Sequence, residues 1–333
     1  MKSYLLFKRI AAIAVVLVFM LSTASAGSGD TITIAQSVAP GSVNTLEAKT
    51  MDDLVTLYMH ENLMSSDPVT GDLEPSLAAS IAVMPGGKDI KITLEKNHTF
   101  HTGDPVTTQD VKWTYEQSRH PSNAHMIAGS LEEIESIEII DDHNMIFHYY
   151  EKFAPWKENM WIGICSKKYF EKVGREKFRT QPVGSGPFRF VSRSIGENVV
   201  MEAVEGYTYP VNIYNKDKTK IVKRKADREQ IDFKILKFIT VPDMITQLAM
   251  LETGELDLVY DLMPHDAKRI GINPKIKVKR TADVPSYFGL ATKPLLFPIM
   301  KDQKFQSALT HAINRREIVD TVFMGEGYPL YMW

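Results

Sequence analysis

Two periodicities of hydrophobic residues alternate along the chain. Residues 30–37, DTITIAQS, alternate between apolar and polar positions and are rich in β-branched side chains, which predicts a strand. Residues 51–64 instead place Leu54, Leu57 and Tyr58 at helical spacing, which predicts an amphipathic helix. The chain therefore opens with a strand followed by a helix.

The same two patterns recur through the rest of the chain without an internal repeat. Alternating runs around DDHN predict a hairpin over 134–150. Further strands are predicted at 89–95, 186–193, 198–205, 230–239, 256–262, 275–283 and 286–293, and further helices at 107–119, 243–255 and 302–323. Strands and helices in alternation predict an α/β fold with mixed sheets.

The first 26 residues resemble a secretory signal peptide. Three basic residues precede an uninterrupted apolar run over 10–21, and Ala24-Ser25-Ala26 forms an A-x-A cleavage site. The run is too short to span a bilayer, and no cysteine stands at the cleavage site, so neither an anchor nor a lipoprotein is favoured. We expect an exported, periplasmic protein cleaved after Ala26.

Charge and cysteine content narrow the function classes. Residues 1–26 hold three basic and no acidic residues, so the mature chain carries 36 basic and 41 acidic residues, a net charge of −5. Such a chain has no overall field to attract nucleic acid. Cys165 is the only cysteine, lies in an apolar run and is expected to be buried, so stability must come from a packed core.

The stretch QPVGSGPFRF, residues 181–190, is the most motif-like segment. A nucleophile elbow needs G-x-S-x-G before a helix, and a phosphate loop needs a glycine-rich turn that opens a helix. Here Gly184-Ser185-Gly186 precedes Pro187 and a strand pattern, so neither chemistry is favoured. We interpret the segment as a structural corner whose glycines permit a tight turn with positive φ.

Nine histidines are present, but their spacing does not predict a metal site. His98 and His101 are three apart in an extended segment, so their side chains point to opposite faces. No compact set of three or four ligands is apparent. We therefore expect no metal site and no cofactor.

Five segments together resemble the family 5 extracellular solute-binding proteins, the exported receptors of peptide-type and nickel-type ABC importers. The first two are the helix start Pro75-Ser76-Leu77-Ala78 and the turn FHTGDPVT over 100–107 with Asp110-Val111. The others are the corner at 182–188, the segment LAMLETGELDLVYDL over 248–262, and FQSALTHAINRREIVDTVFMGEG over 305–327. They follow the family's order along nearly all of the mature chain.

The resemblance implies a type II periplasmic-binding-protein fold. Lobe I would comprise 27–50 and 181–283, with an inserted subdomain at 51–180, and lobe II would begin at 284. Family members are considerably longer, so the resemblance also implies a C-terminally truncated chain with lobe II incomplete over 284–333. The corner would then mark the return from the inserted subdomain to lobe I.

The resemblance further implies a function in transport. A peptide or related small solute would bind between the lobes and be delivered to permease subunits in the inner membrane. The ligand-binding candidates in this chain are Ser37, Val38, Ala39, Pro40, His120, His125, Trp156 and Trp161. For the two tryptophans, core packing is the competing interpretation.

Two alternatives remain. One is a receptor for nickel or a metal complex, since the family includes nickel binders. The other is an exported hydrolase, whose catalytic residues would be too far apart in sequence to recognise. The absence of a nucleophile beside a base disfavours the hydrolase.

The A-x-A site generates the first testable prediction. We expect exported protein to begin at Gly27, because the small residues Ala24 and Ala26 suit the signal peptidase. N-terminal sequencing of the protein recovered from the periplasm measures this, and an intact Met1 on exported protein would contradict it.

Overall fold

The computed structural model describes residues 30–47, 52–66, 72–123, 125, 127–207, 211–214, 221–225, 231–279 and 298–329. The signal segment 1–26 and the strand predicted at 286–293 lie outside these residues. No helix within them is long and apolar enough to cross a bilayer. The described residues form two compact units, one running to Val259 and the other beginning at Tyr260.

Strands and helices alternate along the described residues. The strands are β1 Thr31–Gln36, β2 Met64–Ser66, β3 Leu73–Pro75, β4 Ala78–Val83, β5 Asp89–Leu94, β6 Ile134–Ile139, β7 Asn144–Tyr149, β8 Phe188–Ser194, β9 Asn198–Ala203, β10 Val211–Tyr214, β11 Ile221–Lys225 and β12 Ile235–Thr240. The helices are α1 Asp52–Met59, α2 Thr108–Arg119, α3 Ala128–Leu131, α4 Lys167–Thr180, α5 Met244–Thr253, α6 Pro264–Ile270, α7 Gln303–Ala312 and α8 Arg315–Thr321. Short 3-10 turns occupy Thr45–Glu47, Pro121–Asn123, Ala154–Met160 and Pro298–Lys301.

The central sheet has the strand order β1-β12-β9-β8. β1 is parallel to β12, whereas β12, β9 and β8 pair antiparallel. The predicted α/β fold with mixed sheets is therefore confirmed. Alternation places Ile34, Phe238 and Val199 on one buried face.

A second sheet, in the order β4-β5-β7-β6, is wholly antiparallel. Helix α2 packs on its buried face, where the rings of Tyr115 and Phe147 lie 4.9 Å apart in an edge-on arrangement. Thr107 is the N-cap of this helix: Asp110 accepts from the backbone N–H of Thr107 at 3.0 Å. The core here is a single cluster of buried side chains, among them Leu77, Ile90, Ile92, Val111, Met145, Phe147 and Ile164.

The corner at 184–186 joins helix α4 to β8 and lies against the end of α1. The N–H of Gly186 donates to the carbonyl of Met59 at 2.8 Å. A β-carbon on Gly184 would stand 1.8 Å from that carbonyl oxygen, and one on Gly186 would stand 2.8 Å from backbone atoms of Met59 and Tyr58. Neither glycine has a positive φ, so our expectation of a left-handed turn is wrong. Close backbone approach is what requires glycine here.

Several other expectations need correction. The helix predicted over 51–64 ends at Met59, and Met64 begins β2. Residues 75–78 do not start a helix, because Pro75 ends β3 and Ala78 begins β4. The strand predicted over 256–262 reduces to one parallel bridge between Ile34 and Leu258.

The C-terminal predictions also change. The pattern over 302–323 forms two helices, because the Asn314 side chain accepts from the N–H of Glu317 at 3.1 Å and starts α8 afresh. Residues 275–279 are not a strand, and 280–283 lie outside the described residues. In this unit Asp302 likewise caps α7, accepting from the N–H of Lys304 at 2.7 Å.

Cys165 is buried, as its apolar surroundings in the sequence predicted. It has no exposed surface, and burial raises the pKa of its thiol well above the ordinary value. Trp113 and Phe178 join it in a small cluster beneath α4. The thiol is therefore held in its unreactive, protonated form.

The corner predicts a large effect of adding a side chain. We expect Gly186→Val to lower the free energy of unfolding by about 3 kcal/mol or more, because the new atoms overlap backbone that cannot move aside. Denaturant unfolding monitored by fluorescence measures this.

Gly129→Ala is the matched control for that change. A β-carbon there meets nothing within 4 Å, so stability should be nearly unchanged. Equal stabilities for Gly186→Val and the wild type would show that the corner can relax.

Candidate functional site

The carboxyl ends of β1 and β12 lie side by side at one edge of the central sheet. Their register places Gln36 opposite Thr240, and the N–H of Val241 donates to the carbonyl of Gln36 at 2.8 Å. Ligands of open sheets bind outside the carboxyl ends of parallel strands. Residues 37–44, which we call the β1 loop, leave the sheet at this edge and form the centre of the candidate site.

The β1 loop contains four of the predicted ligand-binding residues. Ser37 and Val38 are exposed, Ala39 is partly buried and Pro40 is buried. Within the described part of the chain, the backbone N–H and C=O groups of Val38 and Ala39 have no hydrogen-bond partner. The loop therefore presents free backbone donors and acceptors just after the end of a strand.

The start of the β1 loop is attached to helix α5. Gln247 is only 2% exposed, and its Nε2 donates to Ser37 Oγ at 3.2 Å and to the carbonyl of Val241 at 2.6 Å. Helix α5 is itself fixed by its N-cap, because Asp243 accepts from the N–H of Thr246 at 2.9 Å. These hydrogen bonds lower the pKa of Asp243, which stays ionised at the helix N-terminus.

The middle of the β1 loop is attached to β8. Arg193 Nη2 donates to the carbonyl of Pro40 and to the carbonyl of Gly41, the latter at 3.1 Å. β8 is the strand furthest from β1 in the four-stranded sheet. The loop therefore crosses the end of the sheet before it meets Arg193.

The segment after the β1 loop is attached to helix α4. Glu47, whose side chain is 17% exposed, accepts from Arg175 Nη2 at 3.2 Å and from Arg179 Nε at 2.9 Å. The hydrogen bond to Glu47 raises the pKa of Arg179. One carboxylate thus holds two guanidinium groups on successive turns of a helix.

Arg175 also brings a second predicted segment to this place. Its Nη2 donates to Asn123 Oδ1 and contacts the carbonyl of Ser122 at 3.5 Å. The loop that follows α2 therefore meets the segment after the β1 loop through one arginine. Sequence reasoning did not find Arg175, because a lone arginine on a charged helix looks like a solvated side chain.

The two histidines predicted in this second segment differ in environment. His120 is exposed, and its Nδ1 lies 2.7 Å from Ser122 Oγ. His125 is buried, and burial lowers its pKa to about 4, so the ring is neutral at pH 7. Its Nδ1 accepts from the N–H of Ile127 at 3.3 Å. Both rings are engaged with their own loop.

The two predicted tryptophans lie with apolar side chains. Trp156 is partly buried against the core of the β4–β7 sheet, and Trp161 is only 7% exposed. These positions agree with the packing interpretation. Ligand binding stays a prediction for all eight candidate residues.

A buried polar cluster that sequence reasoning missed lies between the two sheets. Glu61 is 5% exposed; its Oε2 lies 2.9 Å from His98 Nδ1, and its Oε1 accepts from the Tyr207 hydroxyl at 2.8 Å. These residues come from three distant segments, so no local pattern could have shown the cluster. Its hydrogen bonds tie the β4–β7 sheet to the segment after β9.

Two further histidines support the glycine corner. His60 Nδ1 donates to the carbonyl of Ile164 at 3.2 Å, and His101 Nε2 donates to the carbonyl of Gly186 at 2.9 Å. Burial lowers the pKa of both rings, that of His60 to about 4. The two rings are therefore neutral at pH 7 and serve as structural donors.

The chemistry available in the described residues is that of binding. Ser185 is 2% exposed, and its hydroxyl has no hydrogen-bond partner there, so no base activates it. No group of three or more histidine, cysteine or acidic side chains in the described part of the chain could hold a metal ion. What the edge offers a ligand is hydrogen-bonding backbone.

The family profile and the curated relatives that match this chain agree on one family. The profile of the bacterial extracellular solute-binding proteins, family 5 Middle, matches residues 72–332. Among curated proteins, the oligopeptide-binding protein AppA of Bacillus subtilis is 25% identical over 266 residues, which cover 77% of this chain and 45% of that protein.

Solved structures agree on the fold. NikZ from Campylobacter jejuni, in complex with Ni(L-His), matches with a TM-score of 0.68 and 23% identity, over 90% of this chain and 56% of that one. AppA from Bacillus subtilis, in complex with a nonapeptide, matches with a TM-score of 0.67 and 23% identity, over 90% and 57%. This chain spans about half the length of the relatives that it matches.

The buried neutral histidines predict acid destabilisation. A folded pKa of about 4 against an unfolded value of 6.5 means that their contribution is fully present above pH 6.5. Below that pH the unfolded chain binds protons that the folded chain excludes. The free energy of unfolding should therefore fall by about 1.4 kcal/mol per pH unit for each histidine, down to pH 4.

His125→Gln tests this contribution separately. We expect the variant to lose one histidine's share of the slope between pH 6.5 and 4, measured by urea unfolding at each pH. His120→Gln makes the same replacement at an exposed histidine of the same loop and controls for the effect of the substitution itself. An unaltered slope in His125→Gln would show that this ring is not held neutral.

Proposed function

This chain belongs to the bacterial extracellular solute-binding proteins, family 5, and from that premise we propose that it binds a peptide or related small solute at the β1 loop. The bound solute would be delivered to the permease subunits of an ABC importer in the inner membrane. A receptor of this kind makes or breaks no covalent bond of the solute, so its binding site needs no nucleophile. The exported, periplasmic location follows from the signal segment predicted at 1–26.

The unpaired backbone of Val38 and Ala39 carries the proposal. An extended peptide can add to an open edge as a further strand, and its main chain then satisfies donors and acceptors of the protein. Val38 and Ala39 provide such groups directly after β1, at the carboxyl edge of a parallel pair. A ligand that is held through its main chain does not require a cluster of protein side chains specific for one of its chemical groups.

Two relatives with solved structures contain ligands of the two candidate classes, a peptide and a nickel complex. AppA, which is similar to this chain, binds a nonapeptide in its solved structure, and NikZ binds Ni(L-His). We favour a peptide because the described residues contain no set of metal ligands, whereas they do contain free backbone of the kind that a peptide pairs with. A nickel complex that brings its own ligand is the alternative outcome.

Two binding measurements separate these ligands. The protein is unfolded and refolded to remove co-purified solute, then titrated with a pool of tripeptides to pentapeptides and, separately, with nickel(II) plus L-histidine. We expect binding to the peptide pool by native mass spectrometry. Binding of the nickel complex alone would favour the alternative, and binding of neither would overturn the proposal.

Proline substitution tests the backbone contact. Val38→Pro and Ala39→Pro each remove one N–H without removing a hydrogen bond of the folded protein. Because an added strand bonds alternate residues, we expect at least one of the two to weaken peptide binding by about tenfold. Calorimetric titration of both variants measures this.

Val38→Ala is the matched control, since it trims an exposed side chain and keeps the N–H. It should keep wild-type backbone hydrogen bonding and bind the pool within about threefold of the wild type. Wild-type affinity in both proline variants would show that the peptide does not pair with this backbone.

A further inference from the structure

The β1 loop is held in its middle by one side chain. Arg193 Nη2 donates to two successive carbonyls, those of Pro40 and Gly41. Gln247 holds Ser37 at the start of the loop, and the arginines of α4 hold Glu47 in the segment that follows it. Between these two attachments the chain crosses the end of the sheet, which is roughly 14 Å for four strands about 4.8 Å apart.

A β-bulge in β8 turns Arg193 toward the loop. Phe190 pairs with Met201, but Ser192 pairs with Val200 and Arg193 with Val199, so one extra residue lies between Phe190 and Ser192. In a regular strand Arg193 would lie on the opposite face from Phe190, because the two are three residues apart. The bulge places Arg193 on the face of Val199 and Phe190, from which its guanidinium reaches the carbonyls of the β1 loop.

The two carbonyls that Arg193 binds follow directly after the free backbone. The Pro40 carbonyl belongs to the peptide group between Pro40 and Gly41. Because the proline ring fixes φ, only the ψ torsion of Pro40 separates this held group from the peptide group that follows Ala39. Pro40 restricts the backbone of Ala39 toward the extended region, which is the conformation that a strand partner needs. A loop held in its bound conformation loses less entropy when the ligand arrives.

We propose that Arg193 is the positioning residue of the ligand loop: by holding the Pro40 and Gly41 carbonyls it keeps the Val38–Ala39 backbone in one conformation, with its N–H and C=O groups ready to pair with a peptide. This inference rests on the proposed function for its ligand, whereas the ordering of the loop can be measured without one. Arg193 touches the loop and not the solute.

Arg193→Met tests the ordering of the loop directly. Methyl order parameters are measured on protein labelled at alanine methyl groups, because the alanine methyl reports on the motion of its own backbone. We expect the value for Ala39 to fall in Arg193→Met, while that for Ala35, buried in β1, stays as in the wild type. Equal values for Ala39 in the two proteins would overturn the proposal.

Affinity for the peptide pool provides the second measurement. We expect Arg193→Met to weaken binding at least tenfold while the melting temperature changes little. Arg193→Lys, which keeps a charged donor near the carbonyls, should recover part of the affinity. A loss that lysine does not restore, accompanied by a lower melting temperature, would indicate a merely structural role and contradict the proposal.

Arg189→Met is the matched control on the same strand. Arg189 is exposed and pairs with Glu202 at 2.6 Å, away from the β1 loop. It should leave both the Ala39 order parameter and the affinity unchanged. If the wild type binds neither peptides nor nickel complex, the proposed function fails, and the order parameters still decide whether Arg193 positions the loop.

Discussion

The approach of the glycine corner to the end of α1 is the constraint on which the rest of the first unit depends. Gly184 and Gly186 lie so close to the Met59 carbonyl that a β-carbon does not fit, and Gly186 donates to that carbonyl. The same corner accepts two hydrogen bonds from His101. One backbone contact therefore fixes α1, the turn at 101 and the start of β8 together. Because β8 starts there, the corner also determines where Arg193 lies relative to the β1 loop.

Local patterns predicted the elements whose stability is local in origin. β5 and β7 were found because buried positions alternate along them. β1 was found from the alternation of its sequence, although its last three residues are all buried. The strand β4 was missed, since AASIAV has mostly small residues and only Ala78 is buried. The strand predicted at 256–262 has the right alternation, but only Leu258 bridges to β1. Tertiary pairing, which sequence periodicity does not report, decided both cases.

The loop after β1 was predictable from the sequence, whereas the contacts that hold it were not, and ligand binding there stays a prediction. The strand pattern and the family resemblance indicated residues 37–40, because a loop after a first strand is where such sheets bind ligands. The residues that hold the loop are Gln247, Arg193 and Arg175, and each is more than 100 positions away from its partner in the loop or in Glu47. On a single sequence, an isolated arginine or glutamine is indistinguishable from a solvated side chain. The role of the corner glycines was mispredicted for the same reason. A positive φ was inferred from the neighbouring residues alone, whereas the contact that requires glycine is with Met59, which is distant in sequence.

Three exposed side chains at this edge of the central sheet are aliphatic. Val38, Ile195 and Ile245 are exposed by 53%, 85% and 71%, and they follow β1, the β8 strand and the N-cap of α5. Hydrogen bonds of Thr240 to Glu197 and of Val241 to Gln36 place these segments at one end of the sheet. Aliphatic contacts and backbone hydrogen bonds both depend weakly on the identity of a peptide's side chains, whereas charged pockets select strongly. The nearby guanidinium of Arg193 is turned to loop carbonyls. In the binding mode that we propose, this edge holds the main chain of the ligand, and residues elsewhere select among ligands.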